Sequence, residues 1–130
     1  MSAHFSLSEY WSAIFAKDER AIRSFFRPDA LVYWHNTNEC MTGREFARVN
    51  AAYPGSWNGE VQYEVRMGAW NEDLVICAVR VFEADGSLSL HVCSAIQLID
   101  GKISSIHEYW GEDGPPPAWR KALGVGRAIN

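Results

Sequence analysis

No stretch of this 130-residue chain approaches the roughly eighteen apolar residues that cross a bilayer. The start, Met1-Ser-Ala-His-Phe-Ser-Leu-Ser-Glu-Tyr10, also lacks the basic-then-apolar order of an export signal, so the chain is expected in the cytoplasm and away from membranes. There is no run of basic residues: 12 Lys and Arg stand against 16 Asp and Glu, a net charge of −4, which makes nucleic acid a poor partner. Cysteine is scarce. Cys40, Cys77 and Cys93 form no CxxC pair and are odd in number, so reduced, buried thiols are expected rather than a disulfide framework. His91-x-Cys93 has no further ligands at convincing spacing, so neither metal nor other cofactor is expected. No glycine-rich nucleotide loop, nucleophile triad or redox motif is visible.

What the chain has in quantity is aromatic surface: six Trp, five Tyr and six Phe within a composition that is 48% hydrophobic and 22% charged. That is more ring area than a small core needs, and part of it can line a cavity or an interface. The length fits one domain over 1–130, with 111–130 as a C-terminal arm.

Ser6-Leu-Ser-Glu9 has the form of a capping box, and an apolar stripe follows at Leu7, Tyr10, Trp11, Ile14 and Phe15, which predicts a first helix. Asp18 can cap a second, with Ala21, Ile22, Phe25 and Phe26 inward, ended at Arg27-Pro28-Asp29. Ala30 to Trp34 reads as a strand and His35-Asn-Thr-Asn-Glu39 as a polar turn. Thr42 can cap a third helix carrying Phe46, Val49 and Tyr53, stopped by Pro54-Gly55.

From Glu60 the period becomes two. Val61, Tyr63, Val65 and Met67 alternate with polar residues, predicting a half-buried strand. Strands over Leu74–Ala84, Leu88–Ile99 and Lys102–Trp110 are joined by Asp85-Gly86 and Asp100-Gly101, both hairpin signals. Trp70, beside the Asn71-Glu-Asp73 turn, is expected to serve packing alone. Gly114-Pro-Pro-Pro117 leads into an extended arm on which Trp119 is expected to dock against the body. The layout is α+β: three N-terminal helices packed on a strongly curved, mainly antiparallel sheet that encloses a conical cavity.

Several segments together resemble the nuclear transport factor two-like superfamily, the cone-shaped fold of ketosteroid isomerases and SnoaL-like polyketide cyclases. They are Asp18-x-x-Ala-Ile22, Phe25-Phe-x-Pro-Asp-Ala30, Thr42-Gly-Arg-Glu-Phe46, Asp100-Gly-Lys-Ile103 and Glu108-Tyr-Trp110. The resemblance implies that Tyr10 stands where the isomerases keep an oxyanion-hole tyrosine, and that Trp34 occupies the place of their general-base aspartate. Indole accepts no proton, so that mechanism does not transfer. It further implies that Glu108 stands where the cyclases carry a catalytic aspartate, that Trp110 matches a pocket-lining tryptophan, and that relatives pair as dimers through the sheet.

Glu108 alternates with Ile106 and Trp110, and apolar neighbours would raise its pKa into a useful range for a base; a structural ion pair is the other reading. A two-residue loop at Asp100-Gly101 would pair Glu108 with Cys93, and a three-residue loop, preferred here, with Val92. The preferred register gathers Leu90, Val92, Ser94, Ile96, Ile106 and Trp110 on the inner face. Outside it leaves His91, Cys93, Ala95, Gln97, His107, Tyr109 and Phe82 or Val81, a surface apolar enough to seat a second copy.

Glu108, Tyr10 and, more weakly, His35 are therefore the catalytic candidates. Trp11, Trp34, Tyr53, Trp57, Val92, Ser94, Ile106 and Trp110 are the ligand-binding ones. Asn36-Thr-Asn-Glu39 and Asn50 either form a recognition rim or satisfy turn backbone, with Glu39 tied to Arg44 or Arg48. The expected function is binding of an apolar or aromatic small molecule, with proton transfer of lyase, isomerase or cyclase type. The alternative is a non-catalytic binding or scaffolding module.

Overall fold

The computed structural model describes residues 4–69 and 72–130; Trp70 lies outside the described residues. Ser6 Oγ accepts from the Glu9 amide at 3.2 Å and starts α1 (Leu7–Ala16). Asp18 caps α2 (Glu19–Ser24) through the Ala21 amide. Pro28 is incompatible with helix at Arg27, and the extended chain begins two residues before that proline as β1 (Phe26–Trp34). Phe26 thus belongs to the strand rather than to the second helix, its ring 5.5 Å from that of Phe46.

Where the predicted turn ends, at Glu39, a strand that the sequence reading did not expect begins, β2 (Glu39–Thr42), antiparallel to β1. The link between β1 and β2 needs only a few polar residues, with Asn38 in the left-handed region at φ 57°, which asparagine tolerates. Thr42 and Glu45 then form a reciprocal capping box at the head of α3 (Gly43–Ala51). β3 (Trp57–Ala69), β4 (Glu72–Glu83), β5 (Ser89–Ile99) and β6 (Lys102–Glu112) follow as antiparallel neighbours. β1 joins β6 in parallel, giving a six-stranded curved sheet of order β2-β1-β6-β5-β4-β3.

The three helices bury Tyr10, Ile14, Ile22 and Phe46 against the inner residues Val32, Val75, Val79, Ile96 and Ile106. This is the cone-type α+β architecture. No helix among the described residues is long and apolar enough to cross a membrane.

Four expectations are corrected. At Asp100-Gly101 both residues have positive φ, 51° and 75°, as a two-residue type I′ loop requires, and Ile99 pairs with Lys102. A bulge between Gln97 and Leu98 of the ladder then shifts the register by one, so Glu108 faces Ser94, neither Cys93 nor Val92. The shift restores the preferred parity, which keeps Val92, Ser94, Glu108 and Trp110 on the inner face.

In β3 a bulge between Val61 and Tyr63 turns Tyr63, Val65 and Met67 outward, where they are 52%, 40% and 51% exposed. The alternation is real, but its apolar face is the outer one, and the strand is exposed rather than half-buried. Cys40 and Cys93 are likewise exposed; only Cys77 is buried.

Trp119 does not dock: it is 68% exposed, on a short α4 (Ala118–Lys121) that has no buried residue. The arm is held only as far as Asp113. Its carboxylate receives Ser89 Oγ and meets His91 Nδ1, each at 2.5 Å, and its amide donates to the Ser89 carbonyl. Removing residues 118–130 should therefore change unfolding free energy by no more than about 0.5 kcal/mol in urea denaturation. A larger loss would mean that the arm packs on something.

Candidate functional site

Between α1, α3 and the inner sheet lies a cavity of about 360 Å³. Trp11 and Ile14 come from α1, Phe46, Val49 and Asn50 from α3, and Tyr53 from the loop that follows. The strands supply Trp34, Trp57, Val81, Leu90, Val92, Glu108, Trp110 and Glu112, with Leu88 from the loop before β5. The helical spacing of Phe46, Val49, Asn50 and Tyr53 puts all four on one side of the α3 segment. The two-residue period of β6 aims Glu108, Trp110 and Glu112 inward.

Glu108 is 5% exposed and stands between its two register partners. Trp34 on β1 donates Nε1–H to Oε1 at 2.8 Å, and Ser94 on β5 donates its hydroxyl to Oε2 at 2.5 Å. Burial pushes the carboxyl above the usual glutamate range, and the two hydrogen bonds oppose that rise by favouring the charged form. Glu108 takes part in no ion pair among the described residues. The site is thus a carboxylate with raised basicity at the wall of an apolar chamber.

Of the residues expected to bind ligand, Trp11, Trp34, Tyr53, Trp57, Val92 and Trp110 line the cavity. Ser94 and Ile106 do not: both are fully buried, Ser94 behind the Glu108 carboxylate and Ile106 in the core. Tyr10 is also enclosed. Its ring packs among Phe5, Trp11 and Phe25, its hydroxyl has no hydrogen-bond partner, and burial, then the Glu108 charge, holds its pKa well above the usual tyrosine value. It does not reach the cavity surface, so a direct role in polarising a ligand oxygen is not supported.

His35 is corrected as well. It extends β1 on the outer face, stacked on Tyr109 at 4.6 Å with Nε2 2.8 Å from His107 Nδ1, on the far side of the sheet from the cavity. Asn36 closes the turn by accepting from the Trp110 amide at 2.9 Å and donating to its carbonyl at 2.6 Å, which fixes the backbone of Trp110. Glu39 accepts from Thr37 rather than pairing with Arg44 or Arg48.

Asn50 donates to the Phe46 carbonyl at 2.9 Å while lining the cavity. Tyr53 stacks on Trp57 at 4.5 Å. Ile14, Phe46, Val49, Leu88 and Glu112 line the cavity without having been expected to, and Val81, expected on the outer face as an alternative to Phe82, is buried and lines it too. Glu112 shares the alternation of Glu108 and Trp110, but a strand expected to end at Trp110 leaves it out, whereas β6 runs to Glu112. Among the described residues, no group of three His, Cys, Asp or Glu could hold a metal ion.

Removing the Ser94 hydroxyl should raise the Glu108 pKa further, because the charged form loses a donor while burial persists. In Ser94→Ala the acid limb of any pH–rate profile should move to higher pH. An unmoved limb would mean that Glu108 does not titrate in the rate.

No family model and no curated protein matches the sequence. Solved structures match its shape. A candidate ketosteroid isomerase from Kribbella flavida DSM 17836 superposes with TM-score 0.75 at 23% identity, over 95% of this chain and 87% of that one. An NTF2-like protein of unknown function from Burkholderia xenovorans LB400 gives 0.71 at 22%, over 94% and 91%. An LEH-like epoxide hydrolase from M. tuberculosis gives 0.60 at 14%, over 81% and 79%. The fold is that of the NTF2-like superfamily, the nuclear transport factor two-like cone.

Proposed function

We propose that the chain binds an apolar or aromatic small molecule in this cavity and that Glu108 exchanges a proton with it, as a lyase, isomerase or cyclase. The observation that carries the reading is the inward Glu108 carboxylate, basic through burial and held by Trp34 and Ser94 within a chamber walled by indole and aliphatic groups. A base in such a place meets its substrate without competing water. The neighbours in shape include proteins described as a candidate ketosteroid isomerase and an epoxide hydrolase, small-molecule chemistries that the same cone accommodates. Three free thiols suit the reducing cytoplasm.

Four of the lining residues are tryptophans, so occupancy can be read from intrinsic fluorescence. Titrating a panel of aromatic and alicyclic molecules should quench or shift the emission, and Val92→Trp, which fills the chamber, should abolish the response. A panel with no saturable response, or a response untouched by Val92→Trp, would overturn the reading.

The outer sheet face favours a second role beside the first, pairing with another copy of the chain. It exposes Tyr63, Met67 and Tyr109, each above half, and also Val65 and Leu31. Such an area is large for a monomer to leave in water. Light scattering at micromolar concentration should give twice the chain mass, and Val65→Arg should return it to one; a wild-type monomer would remove this role.

A further inference from the structure

The cavity is acidic as well as aromatic. It holds two carboxylates, Glu108 in the wall and Glu112 four residues further along β6 toward its end, with the Trp110 ring between them. None of its lining residues is Lys, Arg or His.

The cations on the flanking elements are engaged elsewhere. Lys17 Nζ donates to the carbonyls of Tyr53 and Gly55 at 3.1 and 2.7 Å, and Arg44 and Arg48 line a separate surface depression with Glu19, Arg23 and Glu45. Glu83 and Asp85 add negative charge beside Tyr53, whose hydroxyl is pushed up by burial and then by those two groups. Trp11 and Trp57 bring indole faces, which attract positive charge. A buried carboxylate with no counter-charge, set among indoles, is an incomplete ion pair.

We infer that the cavity takes an organic cation: a small molecule with an apolar or aromatic body and a protonated or quaternary ammonium group. The inference rests on the proposal that the cavity is a ligand site and names the class of ligand. The ammonium lies against the indole faces within reach of the Glu108 field, and the apolar body fills the space between α3 and β5. A quaternary group suits the chamber because it needs no hydrogen-bond acceptors of its own. Glu112 in the lining, with Glu83 and Asp85 beside Tyr53, would also draw cations in and repel anions. The same charge would hold Glu108 ionised as the base that the proposed chemistry requires.

The test compares shape-matched probes of different charge. Phenyltrimethylammonium, tert-butylbenzene and 4-tert-butylbenzoate are titrated into the wild-type protein at low salt, with tryptophan fluorescence as the readout. The cation should bind at least about tenfold more tightly than its neutral isostere, and the benzoate should not bind measurably. Glu112→Lys, at an exposed position, should weaken the cation several-fold and by more than it changes the neutral probe. Glu108→Gln should remove most of the remaining preference. Equal or tighter binding of tert-butylbenzene overturns the cation inference while leaving the cavity a ligand site. Binding of none of the three, with no response from the wider panel, overturns both.

Discussion

Glu108→Gln is expected to lower turnover of an uncharged substrate by about 100-fold to 10,000-fold, the usual worth of a positioned base, while leaving the fold and the affinity for that uncharged ligand in place. Glutamine can keep both contacts. Its Oε1 accepts from Trp34 Nε1, and its amide donates to a Ser94 hydroxyl that rotates to accept, so the two strands flanking β6 lose no bridge. What it cannot do is accept a proton.

A convenient probe is 5-nitrobenzisoxazole, an apolar aromatic carbon acid whose ring opens when its C–H proton is removed. A wild-type rate matched by Glu108→Gln would end the catalytic proposal and leave the binding module.

The same substitution has a stability signature whose sign is fixed. Burial raises the folded-state pKa of Glu108, so above the unfolded value of about 4.3 the folded form resists ionisation. The native residue therefore costs stability progressively as pH rises through its folded pKa. Glu108→Gln should match the wild type near pH 4 and be the more heat-resistant protein near pH 8. If glutamine were the less stable at pH 8, Glu108 would instead be held by an attraction not visible in its surroundings.

Much of this was legible in the sequence because the signals were local. The caps at Ser6, Asp18 and Thr42 each depend on one side chain reaching an amide three residues on, and all three form. The parity of β5 and β6 follows from apolar alternation, which put Glu108 beside Trp110 on the inner face.

What escaped is set by non-local geometry. The bulges in β3 and between β5 and β6 leave no mark in the composition of either strand, yet one reverses the face of Tyr63, Val65 and Met67 and the other chooses Ser94 as the partner of Glu108. Tyr10 shows the limit differently. The helical stripe predicts that it points inward, but only the packing of Phe5, Trp11 and Phe25 decides that it is sealed from the cavity. The short β2 carries too few residues to show a period, and it exists because β1 offers it an edge.

Trp34→Phe should be the second large lesion, and it should look unlike the first. Trp34 occupies the place that the family resemblance gives to the isomerase base, and in the sheet it lies directly beside Glu108, the two paired across parallel β1 and β6. Its indole N–H supplies the Glu108 carboxylate with a donor. Phenylalanine keeps a ring against Phe46, whose centroid lies 6.0 Å from the indole, but leaves Oε1 without its N–H.

An unpaired buried carboxylate oxygen costs about 1–3 kcal/mol. Glu108 avoids part of that cost by holding its proton, so its pKa should climb further. At neutral pH the ionised fraction, and with it turnover, should fall as that pKa climbs, approaching about tenfold per unit once the pKa lies above the assay pH. At alkaline pH the rate should recover toward wild type, because the base is still present, whereas Glu108→Gln recovers at no pH. Loss of stability should follow the same course, larger at pH 8 than at pH 4 once the pH-independent loss from the smaller ring is subtracted. A pH–rate profile that drops uniformly, with no shift of its acid limb, would show that Trp34 shapes the cavity without tuning Glu108.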